Sequence, residues 1–263
     1  MCGIFGFMLS KKVLIDLVFS VLEKLEVHQY PQEPNPLGGY GAGLAVLLND
    51  GSVVYEKVGK VDGSPASHLA KIWGSKVSDA RALVSHVRMP SPEFMHSASF
   101  KETAQPYVVQ FDPSLTIVSV HNGKVENYEK LRAELGTKHI FESEKVQLID
   151  SEIIPHYFEE LLNETEDVDK ACSELLCRLQ GPNTISMLQV GEENASLHFV
   201  HRGKTRGLTI WTNNHDEVLF CSRKEVLTDE FRKILAHGTF KEKVSIGYHE
   251  EASLRLSFSQ ELE

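Results

Sequence analysis

The sequence predicts an α+β fold in which two antiparallel sheets pack together with helices outside. Two observations carry this: short alternating strands with hairpin signals recur along the chain, and amphipathic helical stretches flank them towards both ends. A third is negative. No repeat, low-complexity tract or Pro/Gly/Ser linker divides the 263 residues, so one domain spanning 1–263 is expected.

The elements follow in order. Residues 1–9 read as an apolar strand punctuated by Gly3 and Gly6, and residues 11–27 place Leu14, Leu17, Val18, Val21, Leu22 and Leu25 at helical spacing. Prolines 31, 34 and 36 and glycines 38, 39, 41 and 43 then crowd one stretch that can propagate neither a helix nor a central strand; a mobile lid over 31–43 is expected. Residues 44–60 form a hairpin turning at Asp50-Gly51, and Ser64-Pro65 opens a helix to about residue 74. Strands at 82–88 and 115–121 follow, with a helix from about 126 to 135 stopped by Gly136. Two helices, 151–162 and 167–180, precede strands at 183–190, 195–202, 208–212 and 217–222 and a helical piece near 223–236.

Composition narrows the function classes. With 27 Lys+Arg against 37 Asp+Glu the formal charge is −10, and no basic cluster offers a footprint for nucleic acid or an anionic membrane. The longest apolar stretch, residues 13–22, is broken by Asp16 and Ser20, short of the roughly 20 residues a spanning helix needs. Residues 1–12 lack the charge order of a signal peptide, so a cytoplasmic location is expected. Four cysteines in so long a chain suit separate reduced thiols, Cys172 and Cys177 as packing residues on a helix. The twelve histidines are scattered, and the close pair His198 and His201 points to opposite faces of a strand, so neither a metal site nor a cofactor is expected.

Cys2 is the chemically distinctive residue. Once Met1 is removed, it carries a thiol and a free α-amine on one carbon, with unperturbed pKa values of about 8.5 and 7.7–8.0, close enough for nucleophile and base to share one residue. A small buried residue opening a strand is the competing reading. Asn122-Gly123, at a strand-to-loop-to-helix junction rather than a hairpin turn, offers two neighbouring donors for an oxyanion. Arg88, before Pro90 and Pro92, can grip a carboxylate with two hydrogen bonds, against the alternative of a solvated rim arginine. Asp150 could bind an ammonium or simply cap the following helix.

Together these segments resemble class II glutamine amidotransferase domains, the cysteine branch of the N-terminal nucleophile hydrolases. The stretches that carry the resemblance are Met1-Cys2-Gly3-Ile4-Phe5-Gly6, Gly38–Gly43, Ser85-His86-Val87-Arg88, Val120–Tyr128 and Asp150-Ser151-Glu152. The resemblance implies a four-layer αββα sandwich and conversion of L-glutamine to L-glutamate and ammonia through a γ-glutamyl thioester on Cys2. It also implies an oxyanion hole of Asn122 and Gly123, and Arg88 and Asp150 as clamps on the amino-acid end. Met89-Pro90-Ser91-Pro92 departs from the Trp-Ala-Thr-His of the sugar-phosphate amidotransferases, leaving Ser91 as a substitute substrate contact. Gln105-Pro106 leans towards the glutaminase domains of glutamate synthases. The resemblance extends to about residue 248 with no synthase module, so a partner synthase subunit receiving ammonia is expected, and a homo-oligomer is compatible. Two other readings stand beside this one: a free-standing hydrolase of γ-glutamyl peptides or amides, and a non-catalytic regulatory subunit retaining the fold.

Overall fold

A continuous apolar run at the N-terminus, buried on both faces from Gly3 to Leu9, makes a strand, β1 (Gly3–Leu14), which leads directly into α1 (Ile15–Val27). The computed structural model, which describes residues 2–110 and 114–262, continues with β2 (Gly41–Leu47), β3 (Val53–Gly59), α2 (Pro65–Trp73), β4 (Asp79–Val87), β5 (Tyr107–Val109) and β6 (Thr116–Gly123). Next come α3 (Tyr128–Leu135), α4 (Ile153–Thr165), α5 (Val168–Arg178), β7 (Asn183–Val190) and β8 (Asn194–Lys204). The chain then forms β9 (Leu208–Thr212), β10 (Val218–Cys221), α6 (Asp229–His237), β11 (Lys241–Ile246) and β12 (Glu251–Glu261).

These strands make two antiparallel sheets, one of seven strands in the order β11-β9-β10-β1-β4-β2-β3 and one of five in the order β12-β8-β7-β6-β5. Because side chains alternate along a strand, each sheet offers one apolar face to the other and one to helices. Ile4, Met8, Ala45 and Val84 of the larger sheet meet Val118, Val120, Leu188 and Phe199 of the smaller. The outer face of the larger sheet is covered by α1, α2 and α6 through Val18, Leu22, Leu69, Trp73 and Phe231; that of the smaller is covered by α3, α4 and α5 through Leu131, Phe158 and Leu175. The layers run α, β, β, α, as the resemblance implies.

Three segments differ from the sequence reading. The first strand runs on to Leu14, beyond the expected residue 9, because after an irregularity Val13 and Leu14 pair with Ala80 and Asp79 and the main chain of Ser10 donates to Glu217 at 2.6 Å. The stretch expected to be a lid ends earlier. Gly41, Ala42 and Gly43 are buried in β2, where a side chain at Gly43 would put its Cβ 2.2 Å from the carbonyl of Gln105. The rest of that stretch is fastened at its root by Glu33, which lies 2.8 Å from Arg206 and 2.5 Å from Arg223 in a buried triad. Finally, β5, β11 and β12 stand where the sequence reading places no strand, although Ala252, Leu254, Leu256 and Phe258 alternate with polar residues along β12. β12 alternates exposed and half-buried residues along its length and is set by eleven register pairs with β8.

Candidate active site

The site is assembled at one end of the sandwich, where β1 begins and where β4 and β6 finish. Cys2 lies just ahead of β1, and its sulfur is held beside the chain after β4: the main-chain N–H of Met89 donates to Sγ at 3.4 Å, and the thiol donates to the Met89 carbonyl at 3.5 Å. The Cys2 nitrogen donates to Asn122 Oδ1 at 3.0 Å, across 120 residues of sequence. Met1, whose removal is expected from the sequence, lies outside the described residues.

Cys2, Arg88, Ser91, Gly123 and Asp150 line one pocket together with Phe94, Gln105, His121 and Ile149. Asn122 lies beneath it, wholly buried, with Oδ1 engaged by Cys2 and Nδ2 lacking a hydrogen-bond partner among the described residues. A buried amide N–H left unpaired costs stability, so its retention next to the pocket suits a donor kept for a ligand. Gly123 admits no side chain: a Cβ there would fall 2.2 Å from the Pro182 carbonyl and 2.7 Å from His121 Nε2.

Arg88 is buried rather than a solvated rim residue. Its Nη1 donates to Thr103 Oγ1 at 2.6 Å, and its main chain is held by Gly41 and Tyr40 on either side. Burial lowers the guanidinium's pKa, while Tyr107, Cys2 and Asp150 nearby oppose that shift. No carboxylate of the described residues forms an ion pair with it, so its remaining donors can take an anionic ligand. Asp150 opens a short 3-10 turn and caps no helix. Its Oδ2 accepts from the Val125 main chain at 2.8 Å, and Ser151 Oγ donates to Oδ1 at 3.3 Å. Ser91 sits at the pocket wall, its carbonyl accepting from Phe94 and its side chain capping nothing.

Three supporting residues escaped sequence reasoning. Gln105 brackets the end of β6, with the His121 N–H donating to Oε1 at 2.6 Å and Nε2 donating to the His121 carbonyl at 3.2 Å. His121 pairs through Nε2 with Asn183 Oδ1 at 2.9 Å and through Nδ1 with Ser151 Oγ at 2.8 Å, and burial holds the ring's pKa below the usual imidazole range. Thr103 fixes Arg88. Only Gln105 had a visible signal, the Gln105-Pro106 pair, and nothing local says what a side chain 16 residues away would hold.

The other thiols offer no competing nucleophile in this pocket. Burial pushes Cys172 and Cys221 up to about 12. Cys177, expected to pack, is exposed, because it lies on the outer side of α5 while Cys172 faces the core. His198 and His201 do point apart, towards Ser257 on one side and Thr184 on the other. Among the described residues, no helix is long and apolar enough to cross a membrane.

Comparison with known proteins places this geometry. A family profile described as glutamine amidotransferase domain matches residues 95–229. The chain is 30% identical over 201 residues to a glutamine–fructose-6-phosphate aminotransferase (isomerizing) of Chlamydia trachomatis serovar D, covering 76% of this chain and 29% of that protein. It is 31% identical over 198 residues to the enzyme of the same name from Sulfolobus acidocaldarius, covering 73% and 29%. The chain thus spans less than a third of the length of these curated relatives. Its fold matches a glutamine phosphoribosylpyrophosphate amidotransferase from B. subtilis with a TM-score of 0.61 at 14% identity, covering 97% of this chain and 49% of that one. With the profile spanning just over half of the 263 residues, and the fold and ordered motifs agreeing, the chain belongs to the glutamine amidotransferase domain family, in its class II branch.

Proposed function

We propose that this chain hydrolyses L-glutamine to L-glutamate and ammonia through a thioester on Cys2, and that the ammonia is delivered to a synthase active site. In this reading the Cys2 sulfur attacks the glutamine carboxamide carbon and the α-amine takes the thiol proton. The amine then protonates the departing ammonia as the C–N bond breaks. Water adds to the thioester, the C–S bond breaks, and glutamate leaves with the thiol restored. Asn122 Nδ2 and the Gly123 N–H receive the negative charge of each tetrahedral oxygen, Arg88 grips the α-carboxylate, Asp150 pairs with the α-ammonium, and Ser91 adds a hydroxyl at the wall.

One observation carries the proposal: Asn122 turns its oxygen to the Cys2 nitrogen at 3.0 Å and keeps its buried amide N–H without a partner beside the same pocket. That supports an amine oriented next to the sulfur and a donor reserved for an oxyanion. The partner is proposed from the relatives, whose names describe transfer to a sugar phosphate and whose remaining length this chain does not cover.

The test is glutamate release from L-glutamine by the chain with its N-terminus defined by mass spectrometry, beside Cys2→Ala. The expected result is loss of release in Cys2→Ala; equal rates would remove Cys2 from the reaction. Preference for γ-glutamyl peptides over glutamine in the same assay would replace ammonia transfer with peptide hydrolysis.

A further inference from the structure

A second cluster of metal-ligating side chains lies away from the pocket. On α4, His156 and Glu159 are three residues apart and so share a helix face, and His139, from the loop after α3, folds onto them. All three are buried, and one donor atom from each lies within 4.8 Å of the others. We propose that His139, His156 and Glu159 form a binding site for a divalent transition metal, Zn²⁺ in the first instance, which staples the loop carrying His139 to α4.

The spacing carries the argument. Zinc bound by imidazole nitrogen or carboxylate oxygen at about 2.0–2.2 Å in a tetrahedron requires neighbouring ligand atoms roughly 3.3–3.6 Å apart. His139 Nδ1 lies 3.1 Å from His156 Nδ1 and 3.6 Å from Glu159 Oε2, so two edges of the triangle bracket that span. A further observation is independent of these two edges. His139 Nε2 lies 2.8 Å from Glu160 Oε1, the kind of carboxylate contact that orients a metal-binding histidine through its other nitrogen. Glu160 is itself held by Lys138.

Two His and one Glu are nitrogen and oxygen donors of intermediate hardness, a set that suits zinc and its neighbours and disfavours magnesium or calcium, which prefer all-oxygen shells. Three protein ligands leave the fourth position to water. The site is separate from the candidate active site, since none of its ligands lines that pocket. It adjoins it in sequence through the turn Asp150–Glu152, which leads into α4, and Glu152 already ties that turn back to the main chain of Glu142 and Ser143. A bound metal would fasten the same two segments a second time.

The experiment uses Zn²⁺ itself. Chelator-treated full-length chain is titrated in competition with a chromophoric chelator, and the zinc X-ray absorption edge reports the ligand atoms. The expected result is one zinc per chain in an all-nitrogen and oxygen shell, loss of saturable binding in His156→Ala, and affinity reduced by about 10- to 100-fold in Glu160→Gln. If His156→Ala does not fold, the volume-preserving Glu159→Gln and the wild-type edge spectrum decide. No stoichiometric binding, sulfur in the shell, or unchanged affinity in the ligand variant that folds would overturn the proposal. So would a His139 that still carries protons on both nitrogens in the presence of zinc, because the cluster would then be an imidazolium bridging two carboxylates.

Discussion

At the scale of single residues, Asn122 is the most economical part of the candidate site. Its oxygen takes the Cys2 nitrogen, and its N–H remains buried beside the pocket. In the proposed reaction, replacing it with alanine removes an oxyanion donor and the acceptor that orients the amine. Asn122→Ala is therefore expected to lower kcat for glutamine hydrolysis by about 10²- to 10³-fold. KM should change little, since Arg88 and Asp150 are left to hold the amino-acid end. Steady-state glutamate release, with a thermal melt as a check on folding, measures both. The residue types at this site were legible because their chemistry is local: a thiol and amine on one carbon, a two-donor dipeptide, a planar cation. Their supports were not. Thr103 under Arg88, and Gln105 bracketing the His121 main chain, act across the fold, and their neighbours in sequence do not show it.

At the scale of elements, the Pro/Gly-rich stretch after α1 shows how composition can locate a segment and misjudge its setting. Prolines and glycines do exclude a helix there, yet the stretch is anchored by Glu33, which draws Arg206 and Arg223 into the interior from the other half of the chain. Arg223 also stacks over Tyr30 at 4.4 Å, and Tyr30 N–H donates to the second Glu33 oxygen at 2.8 Å. Removing one member of a buried ionic group leaves its partners desolvated and unpaired. Glu33→Gln should therefore destabilise the chain by about 3–5 kcal/mol, and limited proteolysis should begin in residues 28–40. Urea unfolding of the two proteins checks the first expectation and peptide mapping the second. α4 offers the converse case. His156 and Glu159 share a helix face by spacing alone, but His139 joins them only because the loop after α3 folds back.

Across the whole molecule, the interior holds many histidines in their neutral form. Burial pushes His198 from 6.5 to about 4, where it packs beside Phe158 and bonds Ser257 and Gln189. His86, His121 and His201 are also held below the usual imidazole range by burial. An unfolded chain protonates these rings near pH 6.5 while the folded chain resists, so the unfolded state binds more protons as pH falls. The part due to His198 is present above about pH 6.5 and is lost on acidification towards about pH 4, at roughly 1.4 kcal/mol per pH unit, and the other three rings act in the same direction. The urea midpoint should fall steeply across that interval, and His198→Gln should flatten the dependence by about one proton. A midpoint independent of pH there would refute this account.

The α+β class, most strands and helices, and the candidacy of Cys2, Asn122, Gly123, Arg88 and Asp150 could be read from sequence, because periodicity, capping and functional-group identity are properties of near neighbours. Ser64 illustrates this, accepting from the Ser67 N–H at 3.1 Å just ahead of Pro65 as a helix cap should. Only the tertiary structure decided that β12 pairs with β8, that Arg88 is buried against Thr103 and that Asp150 bonds Val125 instead of capping a helix. It alone assembled the Glu33 triad and the His139, His156 and Glu159 cluster. Each of those depends on two sheets closing over one another, an event whose energy is spread over the whole apolar interface and leaves no mark on any single stretch of chain.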